Sequence, residues 1–167
     1  MHKMTKANLE AAFAGESQAH IRYLAFAEKA EREGFPQIAR LFRALSFAEQ
    51  THAIGHLRIL EGIGQTVDNL KAAMGGENYE VDEMYPAFEA VAELQGEKAA
   101  ARSNRWAMEA EKVHAGLYKD ALSAVEAGKD AELEQVYVCS NCGWTGVGEP
   151  PDECPLCKAK KEKFMIF

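Results

Sequence analysis

Along residues 5 to about 127, apolar side chains return every three or four positions, the interval that lines one face of an α-helix. The positions between them are largely Ala, Glu, Leu, Lys and Arg, all good helix formers. Punctuation divides this stretch into four helices. The first is predicted from about Thr5, a suitable N-cap, to Glu33, where Gly34 ends it. Pro36 suits the first turn of a second helix that runs to about Glu61 and stops at Gly62-Ile63-Gly64. A weakly patterned stretch follows and ends in Gly75-Gly76. A third helix is predicted from near Tyr79 to Gln95-Gly96, and a fourth from there to about Ala127-Gly128.

Two of the three connections are tight and predict antiparallel hairpins. The second connection, roughly 15 residues, is long enough to run the length of a bundle. Residues 1–134 are therefore expected to form an all-α four-helix bundle with one long crossover, and residues 135–167 a small separate domain.

The two hairpins resemble each other. With an offset of 62, Tyr23 falls on Tyr85, Phe26 on Phe88, Gly34 on Gly96, Glu49 on Glu111 and His52 on His114. Residues 23–60 match 85–122 without a gap at 14 of 38 positions. Shared Ala and Glu follow from helical composition, whereas shared Gly, Tyr, Phe and His indicate an internal repeat with approximate twofold symmetry.

The sharpest chemistry in the helical part is Glu49-x-x-His52 with its repeat mate Glu111-x-x-His114. Residues three apart share a helix face, so each pair presents a carboxylate and an imidazole together. Height along the bundle identifies partners on the other helices. Glu49 lies 15 residues after Gly34 and Glu16 lies 18 before it; Glu111 lies 15 after Gly96, with Glu80 16 and Glu83 13 before it. At about 1.5 Å rise per residue, these offsets differ by roughly a helical turn or less. A Glu from each of two helices with Glu-x-x-His from the other two is the layout of a two-metal carboxylate site, and helix three carries one acid more than that layout needs. Carboxylate and imidazole together suit iron or manganese rather than calcium. Tyr23, seven residues after Glu16 on the same face, and Tyr85 are candidates to hydrogen-bond the ligands. His20 and His56 read as solvated surface residues.

All four cysteines lie between Cys139 and Cys157. Cys139-x-x-Cys142 and Cys154-x-x-Cys157, with 11 residues between the pairs, predict a tetrahedral four-thiolate metal site. Spacing alone does not separate iron from zinc. Val138, Trp144, Pro155, Phe164, Ile166 and Phe167 are expected to build its apolar shell. So short a segment requires its metal to fold.

Charge narrows the partners. The net charge of −7 disfavours nucleic acid and anionic membrane. Residues 135–167 hold four lysines against Glu149, Asp152, Glu153 and Glu162, so the whole excess falls on residues 1–134, where cations can neutralise it. No apolar run approaches the roughly 20 residues of a membrane span. The polar start Met1-His2-Lys3-Met4-Thr5-Lys6 lacks the core of a signal peptide. A cytoplasmic location is expected.

In order along the chain, Phe13-Ala14-Gly15-Glu16-Ser17-Gln18-Ala19, Glu49-x-x-His52, Glu80-x-x-Glu83-Met84-Tyr85-Pro86, Glu111-x-x-His114 and the two cysteine pairs resemble the rubrerythrin family over the whole chain. The resemblance implies a ferritin-like diiron domain followed by a rubredoxin-like Fe(Cys)4 domain. It implies a peroxidase that reduces hydrogen peroxide to water in oxidative-stress defence. Electrons would come from NAD(P)H through redox proteins such as a rubredoxin or its reductase. Carried over, Glu49 and Glu111 would bridge two non-haem irons, Glu16 and Glu83 would bind one, and Glu80 and His114 the other. On reduction the first iron would move from Glu83 to His52, which gives the additional acid a role. Tyr23 and Tyr85 match family tyrosines near the site. The third iron would sit on Cys139, Cys142, Cys154 and Cys157, with zinc the alternative. Lys158 stands where rubredoxins usually have glycine. The family is usually a homodimer, and some members exchange helices between subunits. Two other classes share parts of this pattern: an iron-storage protein, which needs a multi-subunit shell, and an interaction module with a zinc knuckle.

Overall fold

The computed structural model describes all 167 residues, which fall into two compact units, Met1–Gly64 and Gln65–Phe167. The first is a helical hairpin of α1 (Lys3–Arg32) and α2 (Pro36–Ile59). The second holds α3 (Thr66–Tyr79), a π-helical turn (Glu80–Met84), α4 (Tyr85–Leu94), α5 (Lys98–Glu126) and a small sheet of β1 (Val136–Cys139), β2 (Thr145–Val147) and β3 (Phe164–Ile166). Because α3, the π turn and α4 follow one another without a break, they form one long helix, and four helices result. No helix is long and apolar enough to cross a membrane.

Small residues bring the helices of each unit together. Ala19, Ala27, Ala30, Ala39, Ala53 and Ser46 are buried on α1 and α2, and Ala92, Ala101 and Ala110 on α4 and α5. Both hairpin turns end the same way. Gly34 (φ +83°) and Gly96 (φ +74°) take the left-handed conformation, and the following amides, of Phe35 and Glu97, bond back to Ala30 and Ala92. The repeat reaches the surface as well: Arg43–Glu31 (2.8 Å) and Arg105–Glu93 (2.9 Å) occupy positions 62 apart. Solvent screens both pairs, so they are better read as marks of the duplication than as supports of the fold.

The structure moves two predicted boundaries. Thr5 lies inside α1, whose N-cap is His2. More substantially, the third helix begins at Thr66 rather than near Tyr79, so the connection between α2 and α3 covers residues 60–65 alone. Gly75 and Gly76, expected at the end of a weakly patterned connection, are helical. Packing of α3 against α5 and the 2.8 Å ion pair Lys71–Glu126 hold a segment whose own propensity is poor.

In the sheet, β1 is central and antiparallel to both neighbours, with Val138 opposite Thr145 and Cys139 opposite Phe164. Its core is Cys139, Cys154 and Phe164, with Tyr137, Trp144 and Leu156 packed against them. Trp144 and Phe164 were expected there. Pro155, Ile166 and Phe167 are instead exposed, and Tyr137 and Leu156 take their place.

Candidate metal centres

In the first unit, antiparallel packing sets Glu16 of α1 beside Glu49 and His52 of α2. Potential ligand atoms of the three lie within 4.8 Å of one another. His52 Nδ1 is 3.2 Å from a Glu49 carboxylate oxygen, and the His52 side chain is 57% exposed. Tyr23, half-buried, packs on Phe26 and Phe42 at 6.3 and 6.1 Å between ring centres. His20 is not the free surface residue expected. Its Nδ1 sits 2.8 Å from Ser46 Oγ, which donates to the His20 carbonyl at 2.9 Å, so the pair ties α1 to α2. His56 is half-buried too.

In the second unit the matching group is Glu77, Glu111 and His114, again with ligand atoms within 4.8 Å. Glu111 and His114 were expected together, but Glu77 takes the place anticipated for Glu80. Glu80 stands close by, its carboxyl raised by burial and by the Glu111 charge. Glu83 is exposed and outside the group. Burial, and then the charges of Glu80, Glu111 and Glu77, raise the Tyr85 phenol.

Glu77 has a signal in the sequence that the 62-residue offset conceals. Upstream of the π turn the repeat continues at an offset of 61: Thr5 on Thr66, Asn8 on Asn69, Leu9 on Leu70, Ala11 on Ala72, Ala12 on Ala73, Gly15 on Gly76 and Glu16 on Glu77. A π turn accommodates one additional residue in a helix, and Glu80–Met84 lies where the offset changes. Glu77 is therefore the repeat mate of Glu16, and each unit carries the same carboxylate–carboxylate–imidazole triad.

The second triad has a pH consequence. Burial first, then the hydrogen bond with Glu111 and the charges of Glu111 and Glu80, bring the Glu77 carboxyl up to about 7. A raised acid favours the fold while protonated. Its contribution is full below its ordinary value of 4.5 and is lost as pH climbs through about 7. Metal-free Glu77→Gln protein should accordingly show a flatter decline in melting temperature between those pH values than metal-free wild type. Equal slopes in calorimetry would contradict the assignment.

At the C-terminal site, Cys139 and Cys154 are buried and Cys142 and Cys157 partly so, all as free thiols. Sγ atoms pair at 3.6 Å (Cys139–Cys157) and 3.5 Å (Cys142–Cys154), near the roughly 3.8 Å edge of a tetrahedron with 2.3 Å metal–sulfur bonds. Burial pushes Cys139 and Cys142 up. Burial is also the largest influence on Cys157, yet hydrogen bonds from Asn141 and the Ala159 backbone, with the neighbouring thiols, lower it to about 6. Lys158 takes φ +62°, the left-handed conformation of Gly143 (φ +81°) in the first knuckle. The lysine thus keeps the knuckle backbone at some conformational cost.

Donor chemistry at both places fits bound iron. Glutamates crowded enough to retain a proton, and four thiols in mutual contact, each call for a cation. Glu16, Glu49, His52, Glu77, Glu80, Glu111 and His114 supply oxygen and nitrogen donors, and the cysteines supply sulfur.

Comparison with known proteins agrees. The rubrerythrin family matches residues 7–122, and its rubredoxin-like domain matches residues 137–165. Rubrerythrin-2 of Clostridium acetobutylicum is 39% identical over 98% of this chain and 97% of its own length. Nigerythrin of Nitratidesulfovibrio vulgaris is 34% identical over 98% and 86%. A solved structure, the mixed-valent state of nigerythrin, superposes with a TM-score of 0.56 at 34% identity, covering 98% of this chain and 86% of that one. With its helical diiron domain and its rubredoxin-like four-cysteine domain, the chain belongs to the rubrerythrin family.

Proposed function

We propose that the protein is a peroxidase that reduces hydrogen peroxide to water. Family membership makes it an oxidoreductase, and the observation that carries the finer reading is the presence in one chain of two Glu–Glu–His triads and a four-thiolate site. Bound iron would supply the electrons: a pair at the carboxylate centre, replenished singly through the cysteine centre. Glu16, Glu49 and His52 would hold iron in the first unit, and Glu111 and His114, with Glu77 or Glu80, in the second. His52 and Glu83 are both exposed, so each would have the freedom to take up or give up a metal.

Reducing one peroxide to two waters consumes two protons as well as two electrons, and this chain's acids can hold them. In the metal-free protein, burial and Glu111 raise the Glu77 carboxyl to about 7, so when it is not bound to metal it can hold a proton. Tyr85 keeps its phenolic proton beside the same carboxylates, and Tyr23 is its repeat mate. Hydrogen-bond donation from Tyr85 Oη toward a ligand oxygen would orient peroxide and supply positive character where oxygen leaves.

Electrons would arrive from NAD(P)H through a donor such as a rubredoxin or its reductase. We further propose a cytoplasmic homodimer that takes neither nucleic acid nor membrane as partner. Exposed Phe26, Ile38, Leu41, Leu45 and Phe47 on α1 and α2, and Phe88, Val91 and Leu94 on α4, support assembly with a second copy. The separate domains are proposed to divide at residues 134 and 135.

Metal analysis of anaerobically prepared protein, read with its visible spectrum, tests this. About three irons per chain are expected, with a ferric–thiolate absorption that is bleached by reduction and restored by peroxide. Zinc in the knuckle with no response to peroxide would overturn the relay.

A further inference from the structure

His52 and His114 are repeat mates, yet their surroundings differ. The His52 side chain is 57% exposed and the His114 side chain 25%. The difference comes from the cysteine domain, which approaches α5 along the face of Ala110 and His114. Ala110 is buried, and its Cβ lies 3.9 Å from where a side chain at Gly143 would begin. Two residues on, Thr145 is buried in β2 with its Oγ1 2.8 Å from His114 Nε2.

The direction of that bond follows from proton counting. Thr145 Oγ1 donates to the Gly143 carbonyl at 3.0 Å. With the one hydroxyl proton on the Gly143 carbonyl, the bond to the imidazole is donated by His114 Nε2–H. In the neutral ring this leaves the lone pair on Nδ1, the nitrogen in contact with the Glu111 carboxylate. Two acceptors meet there, so a proton in the metal-free protein, or a metal in the loaded one, belongs between them. No local pattern points to this contact, because Thr145 belongs to neither the helical nor the cysteine motif.

We propose that Thr145 is a positioning residue for the carboxylate centre, its hydroxyl fixing the tautomer and ring orientation that present His114 Nδ1 to metal. This rests on reading His114 as a metal ligand, not on the peroxidase activity. Donating to the other tautomer would cost the hydroxyl its bond to the Gly143 carbonyl, which favours the tautomer with the proton on Nε2. A valine at the same position would fill the same space and leave Nε2–H without its acceptor. The ring could then turn or shift its proton to Nδ1, where it would compete with the metal.

The test uses the full chain with iron in the cysteine site, titrated anaerobically with cobalt(II) at the carboxylate centre. Visible absorption of the bound cobalt is followed in wild type, Thr145→Val and Thr145→Ser. Binding should weaken by roughly tenfold to a hundredfold in Thr145→Val and return close to wild type in Thr145→Ser, as expected for an outer-shell partner of a metal-bound histidine. Unchanged binding in Thr145→Val would overturn the proposal. So would equal weakening in both variants, which would mark packing rather than hydroxyl chemistry. If Thr145→Val does not load its cysteine site, nitrogen-15 shifts of the His114 ring decide instead, read in wild type with zinc in the cysteine site and no metal at the carboxylate centre. A proton on Nε2 supports the proposal, and an Nε2 without one overturns it. Since cobalt binding is read without peroxide, an inactive wild type that shows the expected cobalt pattern would reject the peroxidase reading and leave the role of Thr145 standing.

Discussion

Cys154→Ser is expected to abolish the ferric–thiolate absorption and to unfold β1, β2 and β3, while the helical circular-dichroism signal stays. Cys154 is fully buried, and its sulfur lies 3.5 Å from that of Cys142. Apart from cysteines, the buried core of this domain is the single side chain of Phe164, with Tyr137, Trp144 and Leu156 packed around it. So small an apolar core does not offset the entropy of ordering the domain. Metal binding in structural thiolate sites contributes on the order of 10–16 kcal/mol, and in such domains it is folding free energy. A serine oxygen is a far harder and less readily ionised ligand than a thiolate, so three cysteines and a hydroxyl do not hold iron comparably. Hydrogen exchange at the amides of Val136, Val138 and Phe167 would report the unfolding directly. Functionally, peroxide consumption with the physiological donor should collapse, whereas protein reduced beforehand by a small chemical reductant should still complete a single turnover. Full steady-state activity in Cys154→Ser would remove the cysteine site from the electron path.

Much of this was legible in the sequence. The cysteine spacing alone specifies a tetrahedral thiolate site, and the geometry adds only its size. The two Glu-x-x-His pairs could be placed because helical periodicity is strict and two glycine turns supply a common origin. Failure came where that regularity broke. Gly75-Gly76 reads as a turn by propensity, but tertiary packing on α5 carries the helix through it, and the start of the third helix was missed for that reason. The π turn shifts everything upstream by one residue, so a search at one fixed offset aligned Glu16 with Asn78 and passed over Glu77. Thr145 lay beyond reach for a different reason: its partner is 31 positions away on another element, and no local pattern encodes that meeting.

Glu111→Ala should cause the largest loss of all, because Glu111 is the group around which the second unit's chemistry is arranged. Its carboxylate meets the His114 imidazole, hydrogen-bonds Glu77, and contributes to the raised values of Glu77, Glu80 and Tyr85. In the proposed centre it would also bind metal. A bound metal acting as Lewis acid supplies several kcal/mol to the reaction, and each 1.4 kcal/mol is about tenfold in rate. Peroxide reduction should therefore fall by at least about 10³-fold, with iron content dropping from about three per chain toward one and the thiolate spectrum unchanged. A purely structural role predicts something else. Glu111 is only partly buried, so an alanine there would cost little stability in the metal-free protein and could relieve the crowding of three carboxylates. Metal-free Glu111→Ala should melt no lower than metal-free wild type, and Glu77 should titrate closer to an ordinary glutamate, held up by burial and the Glu80 charge. Loss of metal and turnover together with unchanged or raised apo-stability is the combination that marks a ligand. Glu49→Ala, at the repeat-related position, should show the same combination if the two triads serve one centre; a variant that kept full turnover would show that they do not.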